Sequence, residues 1–199
     1  MKQVVISGTG LYTPTQSISN DELVESFNSY VNSYNESHKD EIEAGSVDAL
    51  AESSSAFIEK ASGIKSRYVM DKAGILDPTS MKPYLPERSN DEPSIQCEMA
   101  VTAAKEALAQ AGKTIEDVDA VIVACSNLQR AYPAIAVEVQ TALGINGFAY
   151  DMNVACSSAT FGIQSAVSAV QTGAARCVLI FIKEKTAYEM CGRDWSSDV

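Results

Sequence analysis

The chain has 199 residues, and its 46% hydrophobic and 21% charged content is typical of a globular domain with a core of its own. The formal net charge of −11 argues against a nucleic-acid partner, because contacts to phosphates need a basic surface. No apolar run approaches the roughly 20 residues of a membrane span, so we expect no membrane association.

The N-terminal part alternates apolar runs with polar segments. Residues 4–6 predict a buried strand, which ends in a turn at residues 7–10. Asn20 is a residue type that caps helices, and it precedes a helix that we expect to start at Asp21. The polar residues 28–45 then predict a long loop.

The next segments are a helix, an extended stretch and a loop. Residues 46–62 have helical periodicity, which Gly63 ends, and residues 65–69 predict extended backbone. Residues 70–93 are rich in proline and predict a long ordered loop.

The C-terminal part carries the stronger signals. Asp91 or Ser94 caps a helix through Ala111, with Gly112 after its end. The remaining predicted elements are strands at residues 120–124, 148–152 and 176–182 and helices at residues 133–143 and 159–171. Short apolar strands that alternate with helices predict an α/β fold with a mostly parallel sheet flanked by helices.

The cysteines indicate a reduced protein. Their number is odd and none forms a CxxC pair, so neither a disulfide framework nor a zinc site is expected, and a cytoplasmic location is the default. They are Cys97, Cys125, Cys156, Cys177 and Cys191.

Cys156 lies where the strand at residues 148–152 stops and the helix at residues 159–171 starts. A helix N-terminus lowers the pKa of a cysteine, and its unpaired backbone N–H groups can donate to an oxyanion. Cys156 is therefore a candidate nucleophile. The alternative is a small buried core residue, which is the interpretation that we favour for Cys97, Cys125 and Cys177.

Four segments, in this order, resemble the β-ketoacyl-ACP synthase III family of the thiolase superfamily. Residues 5–14 are similar to its opening strand and turn, and residues 61–68 to its segment of the TGIRERH type. Residues 124–134 are similar to its strand and dimer-interface loop, and residues 151–161 to its nucleophile motif. The resemblance implies a thiolase-like layered fold.

The resemblance also implies a reaction. Cys156 would take an acyl group from acyl-CoA or acyl-ACP, and malonyl-ACP would lose CO₂ and attack that group, a step of fatty acid biosynthesis. The implied partners are acyl carrier protein and a second copy in a homodimer, and no cofactor is implied. In the family a His and an Asn from the C-terminal half stabilise the decarboxylation, and His38 matches no family motif.

Two further residues are candidates for substrate or interface contacts. The family holds the adenine of CoA with a Trp and an Arg, and the aligned positions here are Phe57 and Ala61. The loss of the guanidinium puts acetyl-CoA in doubt as donor and leaves a longer acyl-CoA or acyl-ACP open. Tyr132 is expected to pack at a dimer interface or in the core, or to line the partner's acyl tunnel.

The chain is expected to be incomplete. Residues 1–182 correspond to the N-terminal, nucleophile-bearing half, and the C-terminal half is absent. Residues 183–199 show no apolar period and, back-translated, resemble constant parts of a sequencing adapter, so we expect a non-native tail. Alternatives are an HMG-CoA- or polyketide-type condensing enzyme and a non-catalytic fragment.

Overall fold

The computed structural model describes residues 3–89 and 91–183, which fall into two compact units. One unit contains residues 13–87, and the other contains residues 3–12 and the described part of 88–183. Each is described by itself. The predicted tail at 183–199 lies outside the described residues except for Lys183, and the single half predicted at 1–182 stays a prediction.

The unit at residues 13–87 combines a small antiparallel sheet with four helices. Strands β1 (Gln16–Ser19) and β2 (Ser66–Val69) pair with each other. The helices are α1 (Asn20–Ser37), α2 (Lys39–Glu43), α3 (Ser55–Ser62) and α4 (Lys72–Leu76). The extended stretch at 65–69 and the helix end at Gly63 are confirmed, whereas α4 interrupts the loop predicted at 70–93.

Helix α1 is longer than the sequence predicted, and its cap lies one residue earlier. Ser19, and not Asn20, forms a capping box with Glu22. The pKa of Glu22 is lowered to about 2, first by a hydrogen bond from Lys72 and then by bonds from Ser19. The loop predicted at 28–45 is wrong, since α1 and α2 occupy most of it.

Asparagines on α1 explain why residues 46–54 form no helix, contrary to the prediction. Asn28 donates to the Ser53 carbonyl and accepts from the Ser53 N–H, and Asn35 makes the same pair of bonds with Leu50. Four bonds of 2.9–3.1 Å thus satisfy the N–H and carbonyl groups of Leu50 and Ser53 without a helix. Helix α3 begins only after Ser54, whose side chain caps it.

The strand predicted at residues 4–6 is also wrong. Val5 and Ile6 are 70% and 76% exposed, and no strand forms there. The segment lies along helix α5 (Ile95–Ala111), where a Cβ at Gly8 or Gly10 would come within 2.2 Å of an α5 carbonyl oxygen. Its backbone bonds go to α5 side chains, as from the Leu11 N–H to the Glu106 carboxylate at 2.8 Å, and not to a strand.

The other unit is built on a three-stranded parallel sheet, as predicted. Strand β3 (Ala120–Cys125) lies between β4 (Phe148–Met152) and β5 (Val178–Lys183). The predicted helices are confirmed as α5, capped by Ser94, α6 (Ile135–Leu143) and α7 (Ser158–Thr172). The fold class is therefore α/β with helices flanking the sheet. No helix in the described ranges has both the length and the apolar character that a membrane span needs.

The two faces of the sheet are covered differently. Every residue of β3 is buried, and its residues Val121 and Val123 pack with α5 and α6 in one apolar core. Helix α7 covers the opposite face. A Cβ at Gly162 of α7 would lie 2.8 Å from the Ala124 Cβ and 3.4 Å from the Ile180 Cγ2, so the absence of a side chain sets how closely α7 approaches the sheet.

The starts of β3 and β5 are joined by an ion pair. The carboxylate of Asp119 accepts from the Arg176 guanidinium at 2.9 Å and also from backbone N–H groups of Arg176 and Cys177. These bonds, chiefly the one from Arg176, lower the pKa of Asp119 to about 2.

We expect Gly162→Ala to lower the free energy of unfolding by about 1–3 kcal/mol, because the added methyl group overpacks the contact between α7 and the sheet. Helix propensity alone would make the alanine variant more stable by about 1 kcal/mol. A loss of stability would therefore show that the packing effect outweighs helix propensity. Urea unfolding followed by circular dichroism measures it, with Gln171→Ala at an exposed position of α7 as the control. A stabilised Gly162→Ala protein would contradict the close packing.

Candidate active site

The candidate site lies at the carboxyl edge of the parallel sheet, where ligands commonly bind in α/β proteins. Strand β3 ends at Cys125 and β4 ends at Met152. The Asn153 amide donates to the Ser126 carbonyl at 3.2 Å, which joins the segments that follow the two strands. The residues after β4 are therefore tied to the sheet edge.

Asp151 of β4 fixes the start of helix α6. Its two carboxylate oxygens accept from the N–H groups of Ile135 and Ala136, each at 2.8 Å. Ala134, the N-cap residue of α6, has no side chain for this purpose, so an aspartate from another element replaces the cap. A carboxylate at a helix N-terminus also interacts favourably with the helix dipole.

Cys156 lies on a short turn that we call the Cys156 turn, residues 153–158. It occupies the middle of a 3-10 turn at Ala155–Ser157, immediately before α7 begins at Ser158. Its side chain is exposed and forms no disulfide, so the alternative of a buried core residue is wrong. Its role as nucleophile stays a prediction.

The Cys156 turn contains an unusual backbone conformation. Ala155 has φ of +46°, a region that costs a residue with a side chain about 1–3 kcal/mol. The Ala155 N–H donates to the Asn153 side-chain oxygen at 3.1 Å, and the Ala155 carbonyl accepts from the Ser158 hydroxyl at 2.8 Å. The Ser158 hydroxyl also accepts from the Val154 N–H at 2.9 Å.

The place of the thiol suits nucleophilic chemistry. The first N–H groups of a helix have no partners within the helix, and they carry the positive end of its dipole. A thioester carbonyl that meets Cys156 would develop its oxyanion close to these groups, which is the arrangement of an oxyanion hole. Within the turn itself, four N–H groups already have acceptors, those of Val154, Ala155, Ser157 and Ser158. The turn thus provides an accessible thiol, and an oxyanion would draw its donors from other N–H groups near the start of α7.

Gln96 organises the loop that follows β3, at residues 126–134. The buried Gln96 side chain donates to the Asn127 carbonyl at 2.7 Å and accepts from the Gln129 N–H at 2.6 Å. Further along this loop, Tyr132 is 89% exposed and precedes a cis peptide bond to Pro133. Because Tyr132 is exposed, the alternative that it packs in the core of this chain is wrong.

The other described cysteines have packing roles, as the sequence predicted. Cys97 and Cys125 are 1% exposed, and Cys177 packs against the same core. Burial raises the pKa of Cys97 to about 11, with Glu138 adding to the effect, and burial also raises the pKa of Cys177. These two thiols therefore stay protonated at neutral pH. Cys191 lies outside the described residues.

Phe57 belongs to the other unit and is described there alone. It is 65% exposed and, with Phe27, Ser53 and neighbouring residues, lines an open depression of about 460 Å³. Ala61, one turn further along α3, is also exposed. In the same unit His38 stacks on Tyr34, with ring centroids 4.1 Å apart, and its Nδ1 lies 2.9 Å from the Tyr34 carbonyl oxygen.

Sequence reasoning found Cys156 but not the residues that hold it. Asn153, Ser158, Asp151 and Gln96 are not among the candidate site residues that the sequence indicates. The polar residues on both sides of the cysteine were the available signal, whereas nothing in the sequence marks Gln96, which is distant along the chain.

Comparison with protein families supports the resemblance. The family described as 3-oxoacyl-[acyl-carrier-protein (ACP)] synthase III matches residues 150–195, a range that includes the Cys156 turn. A beta-ketodecanoyl-[acyl-carrier-protein] synthase of Pseudomonas aeruginosa is 67% identical over 174 residues, which cover 87% of this chain and 50% of that protein. A beta-ketoacyl-[acyl-carrier-protein] synthase III of Granulibacter bethesdensis is 32% identical over 182 residues, covering 90% of this chain and 42% of that protein.

Solved structures show the same fold. The 3-oxoacyl-[acyl-carrier-protein] synthase III of Aquifex aeolicus superimposes with a TM-score of 0.66 at 24% identity, over 97% of this chain and 48% of that one. The priming beta-ketosynthase of the R1128 polyketide pathway superimposes with a TM-score of 0.64 at 22% identity, over 90% of this chain and 41% of that one. The resemblance to β-ketoacyl-ACP synthase III enzymes is thus confirmed, and the chain spans about half the length of the curated relatives it matches.

We expect Asp151→Asn to lower the stability of α6 by about 1 kcal/mol, because an amide has one acceptor oxygen for two N–H groups and no charge for the helix dipole. Hydrogen exchange of the α6 amides measures the loss. Asp48→Asn, the same change at an exposed position of the other unit, should leave α6 protection unchanged. Equal protection in both variants would mean that Asp151 does not hold α6.

Proposed function

We propose that this chain carries the nucleophile of a condensing acyltransferase of the β-ketoacyl-ACP synthase III type, acting in fatty acid biosynthesis. The observation that carries this proposal is the exposed Cys156 thiol at the junction of β4 and α7, inside the range that matches the family. The 67% identity to a beta-ketodecanoyl-ACP synthase supports it.

The first half-reaction is acyl transfer. The Cys156 thiolate attacks the thioester carbonyl of acyl-CoA or acyl-ACP, the carbonyl oxygen takes the negative charge, and the tetrahedral species expels the CoA or carrier thiolate. An acyl-Cys156 thioester remains. Backbone N–H groups at the start of α7 would stabilise the oxyanion. No cofactor takes part in the proposed reaction.

The second half-reaction forms the carbon–carbon bond. Malonyl-ACP loses CO₂, and the electron pair left on its α-carbon attacks the acyl carbonyl. The Cys156 thiolate then leaves, and β-ketoacyl-ACP is the product. The chain's only histidine, His38, matches no family motif, so the family's His for this step has no counterpart here and we propose that the chain alone does not condense.

We infer a medium-chain acyl donor. The relative's name specifies a β-ketodecanoyl product, and decarboxylative condensation with malonyl-ACP adds two carbons, so the acyl group carried by that relative's reaction is octanoyl. Ala61 and Phe57, at positions where the family resemblance places an Arg and a Trp, fit a donor other than acetyl-CoA.

Labelled thioesters test the proposal with the purified 199-residue chain. We expect octanoyl-CoA or octanoyl-ACP to label Cys156 faster than acetyl-CoA, and Cys156→Ala to lose the label. We expect no β-ketoacyl product after malonyl-ACP is added. Label retained in Cys156→Ala would contradict the nucleophile, and faster labelling by acetyl-CoA would contradict the medium-chain donor. Absence of label with every donor would favour the non-catalytic fragment.

We also infer a cytoplasmic homodimer, as the family resemblance implies. Two features support the dimer: Tyr132 projects from the loop after β3 with 89% of its surface exposed, and β4, whose Phe148 is 40% exposed, lies at the edge of the described sheet. Tyr132 would pack at this interface or line the acyl tunnel of the partner.

Tyr132→Asp should weaken dimerisation by about tenfold or more, because a charged carboxylate replaces an aromatic anchor in an interface. Analytical ultracentrifugation over a concentration series measures the association. Tyr68→Asp, at a tyrosine that is 60% exposed in the other unit, is the control and should associate like the unmodified protein. Unchanged association of Tyr132→Asp would place Tyr132 outside the interface.

A further inference from the structure

The Cys156 turn depends on a backbone conformation that its own residue does not favour. Ala155, directly before the candidate nucleophile, has φ of +46°, which glycine adopts freely and alanine does not. Met81 is the other described non-glycine residue with positive φ, and it lies in the other unit. Such a conformation persists only where surrounding contacts impose it.

Two side chains provide these contacts. Asn153 accepts from the Ala155 N–H at 3.1 Å, and Ser158 donates to the Ala155 carbonyl at 2.8 Å. The N–H and the carbonyl of Ala155 are therefore each held by a side chain of the same turn. Ser158 is only 4% exposed, so water cannot readily replace the hydrogen bonds of its hydroxyl.

The same two side chains fasten the turn to the rest of the unit. Asn153 donates to the Ser126 carbonyl after β3 at 3.2 Å. Ser158 accepts from the Val154 N–H at 2.9 Å and is the first residue of α7. The position of Cys156 is thus set from the sheet edge on one side and from α7 on the other.

We propose that Asn153 and Ser158 are positioning residues that hold Ala155 in its left-handed conformation and thereby keep the Cys156 thiol at the N-terminus of α7. This role rests on the proposed function of Cys156. Neither residue touches the acyl group; they act through the backbone. When either bond is lost, Ala155 relaxes to negative φ and the Cys156 side chain leaves its place at the start of α7.

The test measures how fast iodoacetamide alkylates Cys156 in the purified chain, by mass spectrometry of the peptide that contains it. We expect Ser158→Ala and Asn153→Ala each to lower the second-order rate constant about tenfold, which corresponds to about 1.4 kcal/mol. Asn153→Asp retains the oxygen that accepts from Ala155 but loses the donor to Ser126, so it should keep more of the rate than Asn153→Ala. Ser157→Ala is the matched control, because the Ser157 side chain makes no capping bond, and its rate should be unchanged.

A rescue experiment separates positioning from a loss of stability. Ala155→Gly, introduced into Ser158→Ala or Asn153→Ala, should restore most of the alkylation rate, because glycine adopts positive φ without the penalty. Local loosening alone would leave the already exposed thiol as reactive as before, or more so. A rate that does not fall in the single variants, or that glycine does not restore, overturns the proposal. If Ser158→Ala does not fold, the Asn153 variants carry the test alone.

A labelled octanoyl thioester, applied to the same variants, distinguishes this inference from the proposed function. If the unmodified chain is not acylated but the alkylation rates follow the expected pattern, the acyl transfer is wrong and the positioning role stands. If acylation and alkylation proceed equally in all variants, the positioning role is wrong and the nucleophile stands.

Discussion

The arrangement around the candidate site depends on the burial of β3, which is complete along Ala120–Cys125. A strand buried on both faces needs cover on both sides, and here α5 and α6 supply one layer and α7 the other. Its parallel pairing with β4 brings the ends of both strands to the same edge. The bond from Asn153 to Ser126 forms at that edge, so the sheet helps to determine where Cys156 lies.

The elements around this sheet were predictable because their signals are local and agree with one another. The run at Ala120–Cys125 is apolar throughout, which is typical of a strand covered on both sides. Helices α5, α6 and α7 each end at a glycine in the left-handed conformation, as their sequences indicated. The same local signals predict that Cys156 lies between a strand and a helix, as the structure shows.

The errors arose where hydrogen bonds to distant side chains decide the backbone. Residues 46–54 have helical periodicity, yet Asn28 and Asn35 bind backbone groups of this segment that a helix would use. The periodicity of a sequence does not reveal hydrogen bonds to side chains that are distant along the chain. Val5 and Ile6 are apolar enough for a strand, but the glycines that follow allow close contact with α5. The φ of Ala155 is equally invisible in sequence, because alanine is the residue type least indicative of a left-handed turn.

The chemistry around Cys156 separates the two halves of the proposed reaction. Acyl transfer needs a cysteine side chain that the thioester can reach and donors for an oxyanion, and the exposed Cys156 directly before α7 meets the first need. Decarboxylation places charge on the thioester oxygen of malonyl-ACP, at a distance from the thiol, and needs donors of its own. In the described turn the Asn153 amide oxygen and the Ser158 hydroxyl are already engaged in holding Ala155. The two side chains that would position the candidate nucleophile are therefore committed to the turn, and the second step has to draw its donors from other groups.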